Sequence, residues 1–337
     1  MKNFKTELIA EVGQAHDGSL GILHSYIDAI ATTGVQTIKF QVHIAEAESS
    51  IHEPFRINFS YEDKTRFDYW KRVEFSLDQW AGIKNHCEEV GLEFLASPFS
   101  NMAVDLLEQL NVKRYKIGSG EVTSYLMLHK IAQTGKPIIL SSGMSPFDEL
   151  DKAIKFIEPY GNEMAILQCT TNYPTSAKKV GLNVISELKE KYPKHKVGLS
   201  EHTGQIFAGL AATTLGAEIL EFHVVFDRMM FGPDSNSSLT IAEVTTLSMG
   251  VKFINDSLNH PIDKTENSEY GTLKTMFEKS LSVNKNLQIG DTIRIDDLET
   301  KKPAGFGINA SEYKSIIGKK LIRNIQKNDF INYIDLQ

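Results

Sequence analysis

Short apolar segments alternate with amphipathic segments along most of this chain, and no other feature limits its fold so strongly. Short apolar runs bounded by turn residues indicate strands, and apolar residues recurring every three or four positions indicate helices. The predicted strands are Glu7–Gly13, Thr37–Gln41, Leu92–Ala96, Lys113–Ile117, Pro137–Leu140, Met164–Gln168, Val197–His202 and Glu218–His223. The predicted helices are Ser19–Thr33, Leu77–Val90, Met102–Leu110, Tyr125–Thr134, Phe147–Glu158, Val184–Lys191, Thr203–Gly216 and Ile241–Leu258.

Eight strand–helix units in about 260 residues match a (β/α)8 TIM barrel in both number and length. The strands are nearly continuously apolar, as expected where both faces of a parallel sheet are covered. The polar stretch 45–71 is an insertion in this pattern. The alternative is an open, doubly wound sheet. Its dinucleotide-binding form is disfavoured because no Gly-x-Gly-x-x-Gly follows the first strand.

The chain after the predicted barrel differs in kind. We predict a barrel domain over 1–258, a polar linker over 259–275 that contains Pro261, and a small β-rich domain over 276–337. The last domain contains a weak repeat, because Asn286–Leu298 aligns with Asn324–Leu336. A domain of about 60 residues buries little surface by itself. We therefore expect this domain to pack against the barrel or against another subunit.

Composition excludes several classes of protein. A net charge of -7 argues against nucleic-acid binding. No apolar run approaches the roughly 20 residues of a membrane span, and the start of the chain lacks the apolar core of a signal peptide. The two cysteines, Cys87 and Cys169, form no metal or redox motif. The chain is therefore expected to be cytoplasmic, with reduced thiols.

Two of the predicted strands end in a histidine, one in His202 and the next in His223. The helix between them carries these apolar residues at helical spacing: Phe207, Leu210, Ala211 and Leu215. Strands joined by a crossover helix emerge at the same edge of a sheet, so the two imidazoles are expected to meet there and to hold one divalent ion. The alternative is that each histidine is a satisfied polar residue in a loop.

Two lysines, Lys39 and Lys116, lie within apolar strands, where an unpaired ammonium would be costly. An anionic ligand, or Glu11 and Glu121, would compensate their charge. Serines at other strand ends, together with Gly-Ser-Gly and Ser-Ser-Gly turns, suit a phosphate or carboxylate. A Schiff-base lysine is an alternative route to carbonyl chemistry, beside the metal route that the histidines offer.

Several fragments resemble the sialic acid synthase family, which includes the N-acetylneuraminate, legionaminate and pseudaminate synthases. They occur in the family's order and with similar spacing. The matching fragments are Ile9-Ala10-Glu11-x-Gly13, Ile38-Lys39-Phe40-Gln41, Ser97-Pro98-Phe99-Ser100, Tyr115-Lys116-Ile117-Gly118-Ser119-Gly120-Glu121, Ser141-Ser142-Gly143-Met144, Cys169-Thr170-x-x-Tyr173-Pro174, Gly198-Leu199-Ser200-x-His202-Thr203, Glu221-x-His223 and Gly232-Pro233-Asp234. The tail resembles that family's antifreeze-like (SAF, β-clip) domain.

The resemblance implies condensation of phosphoenolpyruvate with an N-acylated hexosamine-type aldose, giving a nine-carbon 2-keto-3-deoxy acid and phosphate. It implies that His202 and His223 bind Mn²⁺, with Mg²⁺ or Co²⁺ as alternatives. It also implies a domain-swapped homodimer in which Lys302 lies near the partner's site. The substrate-binding residues implied are Lys39, Gln41, Ser97, Lys116, Ser119, Ser142, Ser200 and Lys302. The catalytic residues implied are Glu11, Glu121, Tyr173 and Asp234.

The chain departs from the family pattern on the sugar side. Ala15 replaces an Asn, Phe231 replaces a Pro, and Lys302 stands where an Arg is usual, while residues 51–70 differ throughout. The reaction type is therefore better defined than the sugar. One alternative is a related synthase that acts on a phosphorylated sugar. Another is a non-catalytic carbohydrate-binding protein with the same fold, which the set of lysines, histidines and Glu121 disfavours.

Overall fold

The structure is a computed structural model that describes residues 4–337. Residues 1–3, which begin the segment judged to lack a signal peptide, lie outside the described residues. Eight parallel strands pair in chain order, and the first, Glu7–Glu11, also pairs with the eighth, Ile219–Val225, so the sheet closes into a barrel. The barrel prediction is confirmed, and the open doubly wound sheet is wrong because that closing pair leaves no free edge.

The strand and helix bounds lie close to those predicted. The barrel strands are β1 Glu7–Glu11, β2 Thr37–Val42, β3 Glu93–Pro98, β4 Tyr115–Ile117, β5 Ile138–Ser141, β6 Met164–Cys169, β7 Lys196–Glu201 and β8 Ile219–Val225. Short strands follow at β9 Leu239–Thr240, β10 Ser280–Val283 and β11 Leu298–Lys301. The α-helices are α1 Leu20–Ala31, α2 Ala45–Glu48, α3 Arg66–Val73, α4 Leu77–Glu89, α5 Asn101–Gln109, α6 Tyr125–Gln133, α7 Phe147–Ile157, α8 Leu182–Lys191, α9 Ile206–Thr214, α10 Ile241–Asn259 and α11 Gly271–Phe277.

The helix α9 lies within the predicted segment 203–216, but the apolar residues that indicated it do not form its buried face. Its buried residues are small ones, Ala208, Gly209, Ala212 and Thr213, whereas Phe207 is 69% exposed and Leu215 is 42% exposed. The reason is close packing: a Cβ on Gly209 would lie 2.7 Å from a Leu220 methyl carbon. Large side chains fit only on the outer side of this helix.

Alternate residues of each strand point into the barrel. The middle of this interior is apolar and forms its own cluster: Ile9, Leu95, Ile139, Ala165, Leu167 and Ile219. Charged side chains lie on both sides of it. Glu7 and Arg114 pair at the amino ends of the strands, and Glu11 and Lys39 pair at the carboxyl ends. The barrel is thus a plugged core with two polar ends.

The polar insertion is more ordered than the sequence analysis implied. It contains α2 and α3, and α3 begins with a capping box in which Thr65 and Asp68 satisfy each other's backbone N–H groups. Ala45, Tyr69, Trp70 and Val73 form a small apolar cluster. Its apolar side chains are mostly aromatic residues at irregular spacing among polar ones, so the periodic pattern of the sequence did not predict this packing.

The chain divides into two compact units, one ending at Pro261 and the other spanning Ile262–Gln337. In the second unit the aligned repeats pair with each other. Leu287 and Ile325 exchange backbone hydrogen bonds of 2.9 Å in both directions. Asn286 accepts from the Lys327 N–H, and Asn324 accepts from the Ile289 N–H, each at 2.8 Å. The second unit is therefore built from two halves related by approximate twofold symmetry.

Candidate active site

A lysine–carboxylate pair lies just above the apolar layer of the barrel. The Lys39 Nζ is 2.6 Å from Glu11 Oε1, and both side chains are almost completely buried. Burial by itself would lower the pKa of Lys39, but Glu11 and Glu221 outweigh it and raise that pKa. Burial would likewise raise the pKa of Glu11, but Lys39 and His223 outweigh it and hold that pKa well below its usual range. Both groups are therefore charged.

Glu221 joins the two buried lysines, a role that was not predicted from the fragment Glu221-x-His223. Its Oε1 lies 3.6 Å from Lys39 Nζ and 3.5 Å from Lys116 Nζ, and it accepts a 3.0 Å hydrogen bond from Ser200. Its Oε2 is buried with no partner among the described residues. Its position two residues before His223, on the same inward face of β8, was the signal that could have identified it.

The proposal that Glu121 compensates the lysines is wrong, since the carboxylates beside them are Glu11 and Glu221. Glu121 lies in the loop after β4, where burial and then the charge of Glu48 raise its pKa. It therefore holds a proton more strongly than an ordinary glutamate does. That is a property of a group that donates or accepts protons near neutral pH.

Lys116 is held more weakly than Lys39. Its Nζ donates to Ser141 Oγ at 2.7 Å and to the Ile117 carbonyl at 3.2 Å, and its carboxylate neighbour is more distant. Burial lowers the pKa of Lys116, and Glu221 only partly offsets that. An anion beside Lys116 would favour its charged form.

The structure brings His202 and His223 together at the ends of neighbouring strands, with ring centres 5.4 Å apart. The His202 Nδ1 lies 3.0 Å from the Thr170 carbonyl oxygen, so that nitrogen carries a proton and Nε2 faces Ser200. The His223 Nε2 lies 3.4 Å from Glu11 Oε2. Burial opposes the charged form of His202, but Cys169 and the Thr170 carbonyl outweigh it and raise the pKa to about 9.

This donor set fits a divalent cation. A histidine whose second nitrogen donates to a carbonyl is the usual arrangement around a metal, and the ion displaces any proton on the other nitrogen. Within residues 4–337, no three His, Cys, Asp or Glu side chains converge to enclose an ion. Two imidazoles are one protein ligand fewer than is usual at a catalytic zinc site, so oxygen atoms of substrate or water would have to complete the coordination.

Two of the four predicted serines belong to the network of buried lysines and Glu221, and the other two bond backbone groups of neighbouring strand ends. Ser97 accepts from Lys39 at 3.5 Å, and Ser200 bonds Glu221. Ser119 accepts a 3.1 Å hydrogen bond from the Gly143 N–H, and Ser142 donates to the Leu167 carbonyl at 3.0 Å. A Cβ on Gly143 would lie 2.3 Å from Ser119 Oγ, so only glycine allows this approach.

A cavity of about 320 Å³ opens above these groups. Of the predicted site residues, five line it: Gln41, Glu121, Tyr173, His223 and Asp234. The insertion lines it too, and its contribution was not predicted from the sequence: Glu53, Arg56, Ile57, Phe59, Arg66, Tyr69 and Trp70. Glu48 of the insertion also lines the cavity, and its side chain pairs with that of His43 at 2.6 Å.

Lys302 lies in the second unit, where its ammonium is 5.0 Å from the centre of the Phe277 ring. Its predicted role beside a partner's active site stays a prediction. No helix among residues 4–337 is both long and apolar enough to cross a bilayer.

A closed α/β barrel with buried lysines and a histidine pair at the carboxyl ends of its strands is typical of a barrel enzyme, whose active site lies at that end. Residues 26–263 match the NeuB family, so the chain belongs to that family of carbon–carbon bond-forming synthases. It is 32% identical to the N,N'-diacetyllegionaminic acid synthase of Campylobacter jejuni, over 97% of this chain and 99% of that one.

Two further relatives extend the comparison. The chain is 31% identical to the N-acetylneuraminate-9-phosphate synthase of Homo sapiens, over 96% of this chain and 90% of that one. Among solved structures, it resembles an N-acetylneuraminic acid synthetase from Leptospira borgpetersenii with a TM-score of 0.71 and 27% identity. That match covers 81% of this chain and 91% of the other.

Proposed function

We propose that this enzyme condenses phosphoenolpyruvate with an N-acylated hexosamine-type aldose, giving a nine-carbon 2-keto-3-deoxy acid and phosphate. The observation that carries the proposal is the convergence of the two buried lysines and the two histidines at one end of the barrel. The names of the relatives, which are synthases of sialic, legionaminic and related acids, support the same reaction.

Phosphoenolpyruvate would bind over Lys39 and Lys116. Both ammonium groups are buried, so they act on an anion with little screening by water. Ser97, Ser119, Ser142 and Ser200 supply hydroxyl groups around the same space. Lys116, the less well compensated of the two lysines, gains most from a bound anion.

The acceptor aldose would lie above, in the cavity lined by Gln41, Tyr173 and Asp234. His202 and His223 would hold a divalent ion, preferably Mn²⁺, and such an ion would polarise the aldehyde of the open-chain sugar. Gln41 donates to Glu11 Oε1 at 2.7 Å and so orients that carboxylate.

The reaction needs one carbon–carbon bond and one molecule of water. The terminal carbon of the enol attacks the aldehyde carbon, and the former enol carbon becomes cationic. Water adds there, and phosphate leaves from the tetrahedral adduct. Glu11 is charged and can orient that water, while Glu121, with its raised pKa, can exchange protons beside the reacting carbons.

The second unit is proposed to be an antifreeze-like domain that covers the active site of the other subunit in a domain-swapped homodimer. Its internal repeat and the polar linker before it support this assignment. Lys302 would then contact the sugar as a flexible point charge rather than a planar fork, so it would grip an N-acyl or hydroxyl group less specifically than an arginine.

The test is release of phosphate from phosphoenolpyruvate with a panel of N-acylated aldoses, each with and without a 6-phosphate, in the presence of Mn²⁺. Acceptor-dependent release, with formation of the nine-carbon acid, is expected. Phosphate release only with 6-phosphorylated sugars would favour the related synthase on phosphorylated substrates. Sugar binding without any phosphate release would favour a non-catalytic carbohydrate-binding protein.

A further inference from the structure

The insertion between β2 and α4 places Arg56 against two predicted active-site residues. The Arg56 Nη2 lies 2.5 Å from Asp234 Oδ1 and 3.2 Å from the Pro233 carbonyl oxygen. Its guanidinium carbon lies 4.2 Å from the centre of the Tyr173 ring. One side chain thus contacts two residues that the proposed function assigns to the acceptor, and it comes from the segment that departs most from the family.

Tyr173, which Arg56 contacts, also packs against the candidate metal ligand His202. The Tyr173 ring lies against the His202 ring, with centres 4.3 Å apart and planes tilted by 30°, so Tyr173 contacts both the guanidinium of Arg56 and the imidazole of His202. A planar cation that both pairs with a carboxylate and lies on an aromatic face fixes two partners at once. Arg56 therefore limits the positions available to Asp234 and Tyr173.

The charges around the outer cavity are unfavourable for a second phosphate. Of the two arginines in the lining, Arg56 is paired with Asp234, and Arg66 lies 2.9 Å from Glu53. Two further carboxyl groups, those of Glu48 and Glu121, line the same cavity and offer a phosphate no cation. A sugar phosphate would have to displace one of these carboxylates before it gained a cation.

The remaining lining suits an uncharged amide-bearing sugar. Phe59, Tyr69, Trp70 and Phe99 contribute aromatic surface to the cavity. The Trp70 ring is stacked on His43 at 3.8 Å, and its indole N–H donates to Glu53 at 3.0 Å, so the ring is held in one orientation. Rigid aromatic faces favour the methyl and amide surfaces of N-acyl groups.

We propose that Arg56 is a positioning residue that determines acceptor specificity, and that the acceptor is an uncharged N-acylated aldose rather than a sugar phosphate. The inference rests on the proposed function for the identity of the acceptor site. The geometry gives Arg56 its role: it holds Asp234 and Tyr173 in place and neutralises the carboxylate, so the site recognises hydroxyl and amide groups rather than a phosphate.

The kinetic test compares Arg56→Ala and Arg56→Lys with the wild type. Loss of this charge-assisted contact is expected to raise the KM for the acceptor roughly ten-fold or more in Arg56→Ala, with the KM for phosphoenolpyruvate changed by less than about two-fold. Arg56→Lys is expected to recover only part of the loss, because an ammonium can pair with Asp234 but lacks the planar guanidinium that lies on the Tyr173 ring. Lys64→Ala, which removes an exposed cation from the same segment, is the matched control.

A binding measurement keeps this inference separate from the proposed reaction. Trp70 lines the cavity, whereas the other tryptophan, Trp80, is buried and provides a constant background. Titration with N-acetylmannosamine and with its 6-phosphate can therefore be followed by tryptophan fluorescence without any turnover. We expect the neutral sugar to bind more tightly, and we expect Arg56→Ala but not Lys64→Ala to weaken that binding about ten-fold or more.

Equal affinity in Arg56→Ala and the wild type would overturn the role of Arg56. Tighter binding of the 6-phosphate, or no binding of any neutral N-acylated aldose, would overturn the assigned substrate class. Arginine-dependent binding of the neutral sugar without phosphate release would leave this inference standing and would refute the proposed condensation instead.

Discussion

The two ends of the barrel carry similar charged groups but use them differently. At the amino ends of the strands, Arg114 donates to both oxygens of Glu7, to Glu93 at 2.7 Å and to Thr37 at 3.1 Å. At the carboxyl ends, Lys39 and Lys116 share Glu221, which keeps one oxygen without a partner among the described residues. The first network is fully paired, and the second is left incomplete.

Burial explains why this difference matters. The side chains of the amino-end network are 17–26% exposed, so water still solvates their charges. Those of the carboxyl-end network are 2–4% exposed, and taking such charges out of water costs several kcal/mol per ion. A buried charge network that destabilises the fold and keeps an unpaired hydrogen-bonding oxygen is typical of a binding site. A fully paired network instead contributes to the stability of the fold.

The largest contrast is expected from the histidines. His202→Ala or His223→Ala should lower kcat roughly 10³-fold, because a Lewis acid supplies several kcal/mol of transition-state stabilisation. His195→Ala, at the opposite end near Glu158, should change kcat little. Turnover and circular dichroism would be measured for all three variants.

Chelation should inactivate the wild type, and Mn²⁺ should restore it. Full activity in excess chelator would refute the metal site. The carboxyl end of the barrel would then differ from the amino end only in its lysine network.

Arg114 and Lys116 are only two residues apart in the chain but belong to the two different networks, so substituting each of them tests the comparison most directly. Lys116→Met removes a charge-assisted contact, worth about 1.5–3 kcal/mol, and should lower kcat/KM for phosphoenolpyruvate roughly 10- to 100-fold without loss of stability. Arg114→Met leaves the carboxylates of Glu7 and Glu93 unpaired and should cost about 1–3 kcal/mol of folding free energy with activity retained. Steady-state kinetics and urea unfolding would separate the two effects.

The opposite assignment, with Lys116→Met unfolding the protein at unchanged phosphoenolpyruvate kinetics, would mean that the buried lysine is structural.

The smallest effects are expected in the dependence of stability on pH. Burial, followed by the charge of His43, lowers the pKa of His16 from 6.5 to about 3. The unfolded chain therefore takes up the proton first, and stability should fall between pH 6.5 and 3 by up to about 1.4 kcal/mol per pH unit. Burial opposes the shift in Glu7, but Arg114 outweighs it and lowers that pKa below 4.5, so the contribution of Glu7 is lost only as pH falls below about 4.5.

Melting temperatures measured from pH 7 to pH 3 should therefore distinguish the contribution of His16 from that of Glu7. His16→Gln is expected to flatten the curve already above pH 4.5, and Glu7→Gln only below it. An unchanged slope above pH 4.5 in His16→Gln would show that this buried histidine does not set the acid limit.

The sequence predicts the layout of the first unit well, because its information is local. A strand buried on both faces must be apolar, and a helix must show apolar residues every three or four positions, so most bounds agreed within a few residues. The helix α9 was the exception in its orientation: close approach to the barrel required Ala and Gly on its inner face, where periodicity favoured Phe207 and Leu215. Local patterns do not report how near two elements approach each other.

The sequence by itself determined the barrel, the lysines within it and the histidines at two strand ends, because apolar periodicity and costly buried charge are visible one residue at a time. The tertiary structure alone decided which groups meet. Glu221 rather than Glu121 lies between the lysines, and Arg56 lies on Tyr173 beside Asp234, although 178 positions separate the arginine from that aspartate. Such partners depend on strand tilt and register and on the path of an irregular loop. None of these is encoded by residue spacing.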